Sequence, residues 1–162
     1  MIRINKERSE KRVGMWRKQE GARTGLTELP KTNATSQQAI AKTSVQMNRE
    51  LYESLQRGAL HEASVLENAR AAGTLAAKKT SSVLPYCHFK PLTAVAISFD
   101  WKVGSGVWEL LIEAEVKARH STTVDSEALM AATVTALAVF DSCKSISQSI
   151  VLGPCYLSRK RT

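Results

Sequence analysis

The stretch that decides the fold runs from Thr93 to Ala118: TAVAISFDW (93–101), KVGSG (102–106) and VWELLIEAEVKA (107–118). Both flanking runs are rich in β-branched and aromatic residues, with polar residues interleaved, as suits half-buried strands. The five residues between them include Gly104 and Gly106. Two strand-like runs joined by a short glycine-bearing segment predict an antiparallel hairpin, with its turn over 102–106.

Working outward, residues 61–80 are Ala- and Leu-rich and hold strong helix formers, and Pro85 forbids further helix. Before them, Asn48–Arg57 reads as a short helix stopped at Gly58, a residue that tolerates left-handed dihedrals. Earlier still, the alternation Ala39, Ala41, Thr43, Val45, Met47 within Gln37–Met47 predicts a strand with one small-residue face. Downstream of the hairpin, Val124–Ile146 is a long apolar helix, polar only near its ends, which demands burial on most sides. A last strand, Ile150–Leu157, closes the unit. Strands and helices in this order predict an α+β fold: a two-layer, ferredoxin-like sandwich with an antiparallel sheet packed against helices. Hiding so apolar a helix predicts an oligomer.

Size and charge bound the function. A chain of 162 residues, 43% hydrophobic, can bury one core, so 26–162 is read as a single domain behind a basic extension over 1–25. No apolar run reaches the roughly 18–20 residues of a membrane span, so no membrane partner is expected. The N-terminus lacks an apolar signal region, which favours a cytoplasmic protein, and Glu7, Glu10 and Glu20 count against a mitochondrial targeting role for the basic arm. The formal charge of +8 is concentrated at the ends: residues 1–23 hold eight Lys/Arg and three Asp/Glu, and Arg159-Lys160-Arg161 adds three more cations. The span 24–158 is neutral, with twelve residues of each sign, so no basic face for nucleic acid is built into the body. Cys87, Cys143 and Cys155 are odd in number and widely spaced, which fits neither a disulfide framework nor a CxxC metal site.

Four constellations carry candidate chemistry. Lys78 and Lys79, followed by Pro85-Tyr86-Cys87-His88, are either cations complementing a helix end or, with the imidazole, a phosphate-sized anion site. Asp125 and Glu127 fall in the first turn of the long helix, where capping and the dipole already favour acids. Asp141 and Lys144 share one helical face at i, i+3. Their apolar neighbours predict a packed or cleft environment in which the pair exchanges protons. Cys143 reads as core, and His61 and His120 as surface or structural residues. Neither a metal cluster nor a glycine-rich phosphate loop is present in the sequence.

Several of these stretches resemble one family. Ala69-Arg70-Ala71-Ala72-Gly73, Ala76-Ala77-Lys78-Lys79-Thr80, Leu84-Pro85-Tyr86-Cys87-His88, Glu127-Ala128-Leu129, Phe140-Asp141-Ser142-Cys143-Lys144 and Ile150-Val151-Leu152-Gly153-Pro154 with Lys160 are similar to the signature of the cyclic pyranopterin monophosphate synthases. The resemblance covers about Leu26–Lys160. It implies molybdenum-cofactor synthesis: conversion of a purine-derived cyclised dihydroguanosine triphosphate into cyclic pyranopterin monophosphate and diphosphate, without metal or organic cofactor. It also implies a homohexamer, a trimer of dimers with each site shared across a dimer interface. By position it implies catalytic roles for Asp141, Lys144 and Lys78. Substrate binding is implied for Tyr86, Cys87, His88, Ser126, Glu127, Asp125, Lys79, Lys160 and Arg70.

The sequence departs from the family pattern at several points. Glu62-Ala63-Ser64 stands where the family has Lys-Gly-Asp, putting an anion in place of a cation. Gln37 replaces an arginine, Glu28 an aspartate and Lys79 an arginine, and Asp125-Ser126-Glu127 replaces Glu-Met-Glu. Pro91 lies two residues beyond the family's proline, and the family's Gly-Gly-Lys-Ser-Gly tail does not appear before Thr162. The competing expectation is a catalytically impaired paralogue that keeps the fold as a nucleotide-binding or assembly protein.

Overall fold

A computed structural model describes residues 35–58, 60–120 and 122–158, except the His120 side chain. The basic arm, Glu28, and the Arg159-Lys160-Arg161 tail lie outside the described residues.

The small-residue alternation does form a strand, β1 (Thr35–Met47), two residues longer at its start than the pattern indicated. Ala39, Ala41, Thr43, Val45 and Met47 are all buried on its inner face. Small side chains there let a helix approach closely. Asn48 then caps helix α1 (Arg49–Gln56), its side chain accepting from the Leu51 N–H at 2.9 Å. Gly58 ends that turn with φ of +80°.

Helix α2 (Glu62–Val83) outlasts the 61–80 reading by three residues and stops two before Pro85. Strands β2 (Leu92–Gly104) and β3 (Val107–His120) form the hairpin. Its turn is tighter than expected. Lys102 pairs with Glu109 and Val103 with Trp108, so only Ser105 and Gly106 cross over, both with positive φ. A two-residue turn of that kind matches the twist of the strands, which is why the pairing runs almost to the tip.

Helix α3 (Asp125–Cys143) ends earlier than Ile146. Ser147, which accepts from Asn48 and from the Ser149 N–H, gives the chain local bonds that compete with the helix. The expected last strand is two short ones, β4 (Val151–Leu152) and β5 (Tyr156–Leu157), because Pro154 between them cannot donate to a ladder. Gly153 bridges the gap: its N–H donates to the Ser44 carbonyl at 2.8 Å, and Thr43 Oγ1 donates to its carbonyl at 3.2 Å.

The five-stranded antiparallel sheet has the order β2-β3-β1-β4, with β5 also on β1. That is the split β-α-β arrangement of ferredoxin-like folds. The long helices α2 and α3 pack side by side against the sheet and against each other. They run antiparallel: Asn68 reaches Ser142, and Gly73 lies against Ala131 and Thr135. The core is Leu51, Val45, Leu110, Ile112, Val116, Val124 and Val139 set among many alanines.

By length and composition α3 would suffice to cross a membrane, which corrects the expectation that no segment qualifies. Thr133 and Thr135 interrupt the apolar run in the sequence, yet the helix as a whole keeps a mean hydropathy of 1.2. In the fold α3 serves as a core helix, with Ala128, Ala131, Ala132, Thr135, Ala136, Val139 and Cys143 against the sheet and α2.

Candidate functional site

Where α2 ends, Pro85 prevents its continuation and the chain turns across the start of α3. This crossing creates an open pocket of about 540 Å³ whose walls include Tyr86, Cys87, His88, Lys90, Thr123 and Ser126. Four sequence candidates therefore meet: Tyr86, Cys87, His88 and Ser126. Behind the wall lies Glu127, on the first turn of α3, 3% exposed.

Glu127 is held by a residue the sequence reading passed over. Lys90 Nζ donates to Glu127 Oε1 at 2.8 Å, with side chains only 8% and 4% exposed. Cys87 Sγ approaches the same oxygen at 3.6 Å, and Lys90 Nζ lies 3.7 Å from the sulfur. Glu127 Oε2 has no hydrogen-bond partner among the described residues. Burial raises the Cys87 thiol above its ordinary range; the Glu127 charge adds to this and Lys90 opposes it. That thiol is a poor thiolate, so Cys87 suits contact with a ligand better than nucleophilic attack. The available signal for Lys90 was its place before Pro91, which restricts it to extended backbone at the mouth of an apolar strand.

The remaining candidates lie elsewhere. Lys78 and Lys79 are exposed near the end of α2 and do not line the pocket. Asp125 is half-buried at the first residue of α3. Arg70 joins α2 to β2: its Nε donates to the Ile97 carbonyl at 3.1 Å, another nitrogen pairs with Glu67, and the guanidinium sits 5.3 Å from the Phe99 ring centroid. Lys160 is outside the described residues. Among the described residues, no group of three His, Cys, Asp or Glu side chains converges as a metal site would need.

Asp141 and Lys144 do pair, at 2.6 Å. The packed surroundings expected for them are absent from the single chain, where the side chains are 68% and 55% exposed. Their apolar neighbours Val139 and Cys143 turn to the core, whereas Thr133, Leu137 and Asp141 share the outer face at i, i+4 spacing. Cys143 is fully buried, as its apolar setting implied, and burial raises its thiol too. Fourteen residues of helix separate Glu127 from Asp141, about 21 Å at 1.5 Å per residue. One chain thus presents two candidate clusters at opposite ends of α3.

Comparison with known proteins gives this geometry its context. Residues 26–162 match the MoaC family. The chain belongs to that family. It is 43% identical over 141 residues to the cyclic pyranopterin monophosphate synthase of Halalkalibacterium halodurans, covering 87% of this chain and 86% of that protein. The proteins of the same name from Geobacillus thermodenitrificans and Bacillus subtilis are each 40% identical over 87% of this chain, and over 87% and 83% of their own lengths. Membership of the MoaC family accounts for the matched order of motifs along α2, α3 and the loop between α2 and β2. Lys90 and its ion pair are features of this chain that the family signature did not point to.

Proposed function

We propose that the chain is a cyclic pyranopterin monophosphate synthase of molybdenum-cofactor biosynthesis, releasing diphosphate from the cyclised dihydroguanosine triphosphate. The observation that carries this is identity of 40–43% to relatives of that name over nearly the whole of both chains. The pocket adds support, because it gathers Tyr86, Cys87, His88 and Ser126 in front of a buried carboxylate.

In this reading the cyclised purine ring occupies the pocket, and Lys78, Lys79 and Lys160 neutralise the triphosphate, easing departure of diphosphate. Arg70, fixed against β2, holds α2 in place. Asp141 and Lys144 move protons during rearrangement of the ring. Because the two clusters stand about 21 Å apart along α3, the complete site is assembled from two chains of a cytoplasmic homohexamer. Leu75, Val83 and Leu137, which are 56%, 60% and 50% exposed on the outer sides of α2 and α3, supply apolar surface for that assembly. Packing there would desolvate the Asp141–Lys144 pair, as proton exchange near neutrality requires.

The test is turnover of the purified protein with the cyclised triphosphate, beside Asp141→Asn. Wild type is expected to release diphosphate and product, and the variant to lose about 10²–10⁴-fold. The variant's elution volume and melting temperature are compared with those of wild type, so that lost turnover is read only in a folded, assembled protein. A folded, oligomeric wild type without product would refute the proposal.

A further inference from the structure

We propose that Lys90 is a positioning residue, the counter-charge that holds the Glu127 side chain behind the pocket wall with one oxygen left for an N–H of the bound ring. This deepens the synthase reading and rests on it for the ligand's identity.

Four observations carry the inference. The pair is buried, at 2.8 Å and with less than a tenth of either side chain exposed. Burying a charge is costly unless it is paired, and Lys90 is the cation in contact with the carboxylate. Second, among the described residues the surroundings offer no substitute. The inner faces of β1 and β3 against α3 carry Ala, Thr, Val, Met, Leu and Ile; Lys78 and Lys79 on α2 are exposed; Cys87 opposes the charge; Asp125 on the same helix is itself acidic; His88 lines the pocket; and Tyr156 of β5 lies in a separate depression with Lys42 and Glu113.

Third, Glu127 Oε2 is buried without a partner, an uncommon state for a buried polar atom that a ligand donor would satisfy. Cys87 and Lys90, the two residues that contact the other carboxylate oxygen, Oε1, also line the pocket, which places the carboxylate next to it. Fourth, the Lys90 ammonium is already committed to Glu127, so it is a poor ligand for the triphosphate. The proposed substrate's guanine-derived ring bears amide and amino N–H groups, the donors such an oxygen accepts.

The experiment is a double-mutant cycle of Lys90→Met, Glu127→Gln and the double variant, each checked for elution volume and melting temperature. Equilibrium binding is measured for the cyclised triphosphate and, separately, for inorganic triphosphate. Lys90→Met is expected to weaken the cyclised substrate about 10- to 100-fold and to leave inorganic triphosphate unchanged. In the Glu127→Gln background the same change should cost nothing further. Equal losses for both ligands would make Lys90 a phosphate cation, and a folded variant with unchanged affinity would make it merely structural. Multiplicative losses in the cycle would show that it does not act through Glu127. Each of these overturns the proposal. Should Lys90→Met fail to fold, the double variant, which carries no unpaired buried charge, is compared with Glu127→Gln, and equal affinities are expected. If wild type binds no cyclised substrate, the synthase reading falls. The melting temperatures then decide for Lys90: restoration of the Lys90→Met loss by Glu127→Gln supports the coupling, and additive losses refute it.

Discussion

Replacing Gly73 by alanine should destabilise the protein, although alanine is by far the better helix former. Gly73 is buried midway along α2, where that helix meets α3 and β2. A Cβ there would lie 2.0 Å from Thr135 Oγ1, 2.7 Å from Ile97 Cδ1 and 2.8 Å from the Ala131 carbonyl oxygen. The Thr135 side chain cannot move aside cheaply. It is fully buried and donates to the Ala131 carbonyl at 2.7 Å, so rotation would strand a hydroxyl. Propensity returns about 1 kcal/mol. Overpacking costs about 1–3 kcal/mol, and a stranded buried hydroxyl about 1–3 kcal/mol more. The net loss is about 1–5 kcal/mol, centred near 3 kcal/mol. For a unit of this size each kcal/mol is worth roughly 3–5 °C, so the melting temperature should fall by about 10 °C. Scanning calorimetry at one fixed protein concentration reads it. An unchanged or higher melting temperature would refute the reasoning, because α2 and α3 could not then approach as closely as Gly73 requires.

Two chemical predictions follow from the charges around the sheet and the pocket. Glu127→Gln removes a negative charge that helps raise the Cys87 thiol, so Cys87 should alkylate faster at pH 8, read by peptide mass spectrometry; a slower reaction would contradict the contact. The Ser44 hydroxyl, at 2.6 Å, is the main cause holding Glu109 below the usual carboxylate range. A depressed carboxyl stabilises the fold above its unfolded value and loses that contribution as pH falls through its folded value. Ser44→Ala should therefore flatten the loss of stability below about pH 4.5, measured by denaturant titration at several pH values; an equally steep acid limb would rule the assignment out.

Much of the fold was legible because it depends on local pattern. The alternation from Ala39 to Met47, the short helix stopped at Gly58, and the helix ended before Pro85 each follow from neighbours along the chain. The misread boundaries depended on distant partners. The last strand breaks at Pro154, and what spans the break is Thr43 and Ser44 of β1, 110 residues away for the Thr43–Gly153 bond. The site divides in the same way. Tyr86, Cys87, His88 and Ser126, which the family motifs name, line one pocket. Lys90 was missed because its partner is 37 residues distant and its meaning appears only when the loop crosses α3. Glu62 illustrates the converse. As an anion in a cation's place it looked like a defect in a phosphate clamp, yet its oxygens accept from Trp101 Nε1 at 2.6 Å and Gln56 Nε2 at 3.0 Å, tying α2 to β2 and α1.

The placement of β1 also bears on how the protein is made. This strand leaves the ribosome early, gains β3 along one side when the hairpin follows, and receives β4 and β5 on its other side only after residues 151–157 have been synthesised. Until then one border of the sheet is open to another chain. Gln38, Lys42, Ser44 and Gln46, alternating with the core residues, keep β1 from being apolar on both faces during that interval. The polar half of the strand limits the apolar surface that this edge offers to other chains before its last neighbour arrives.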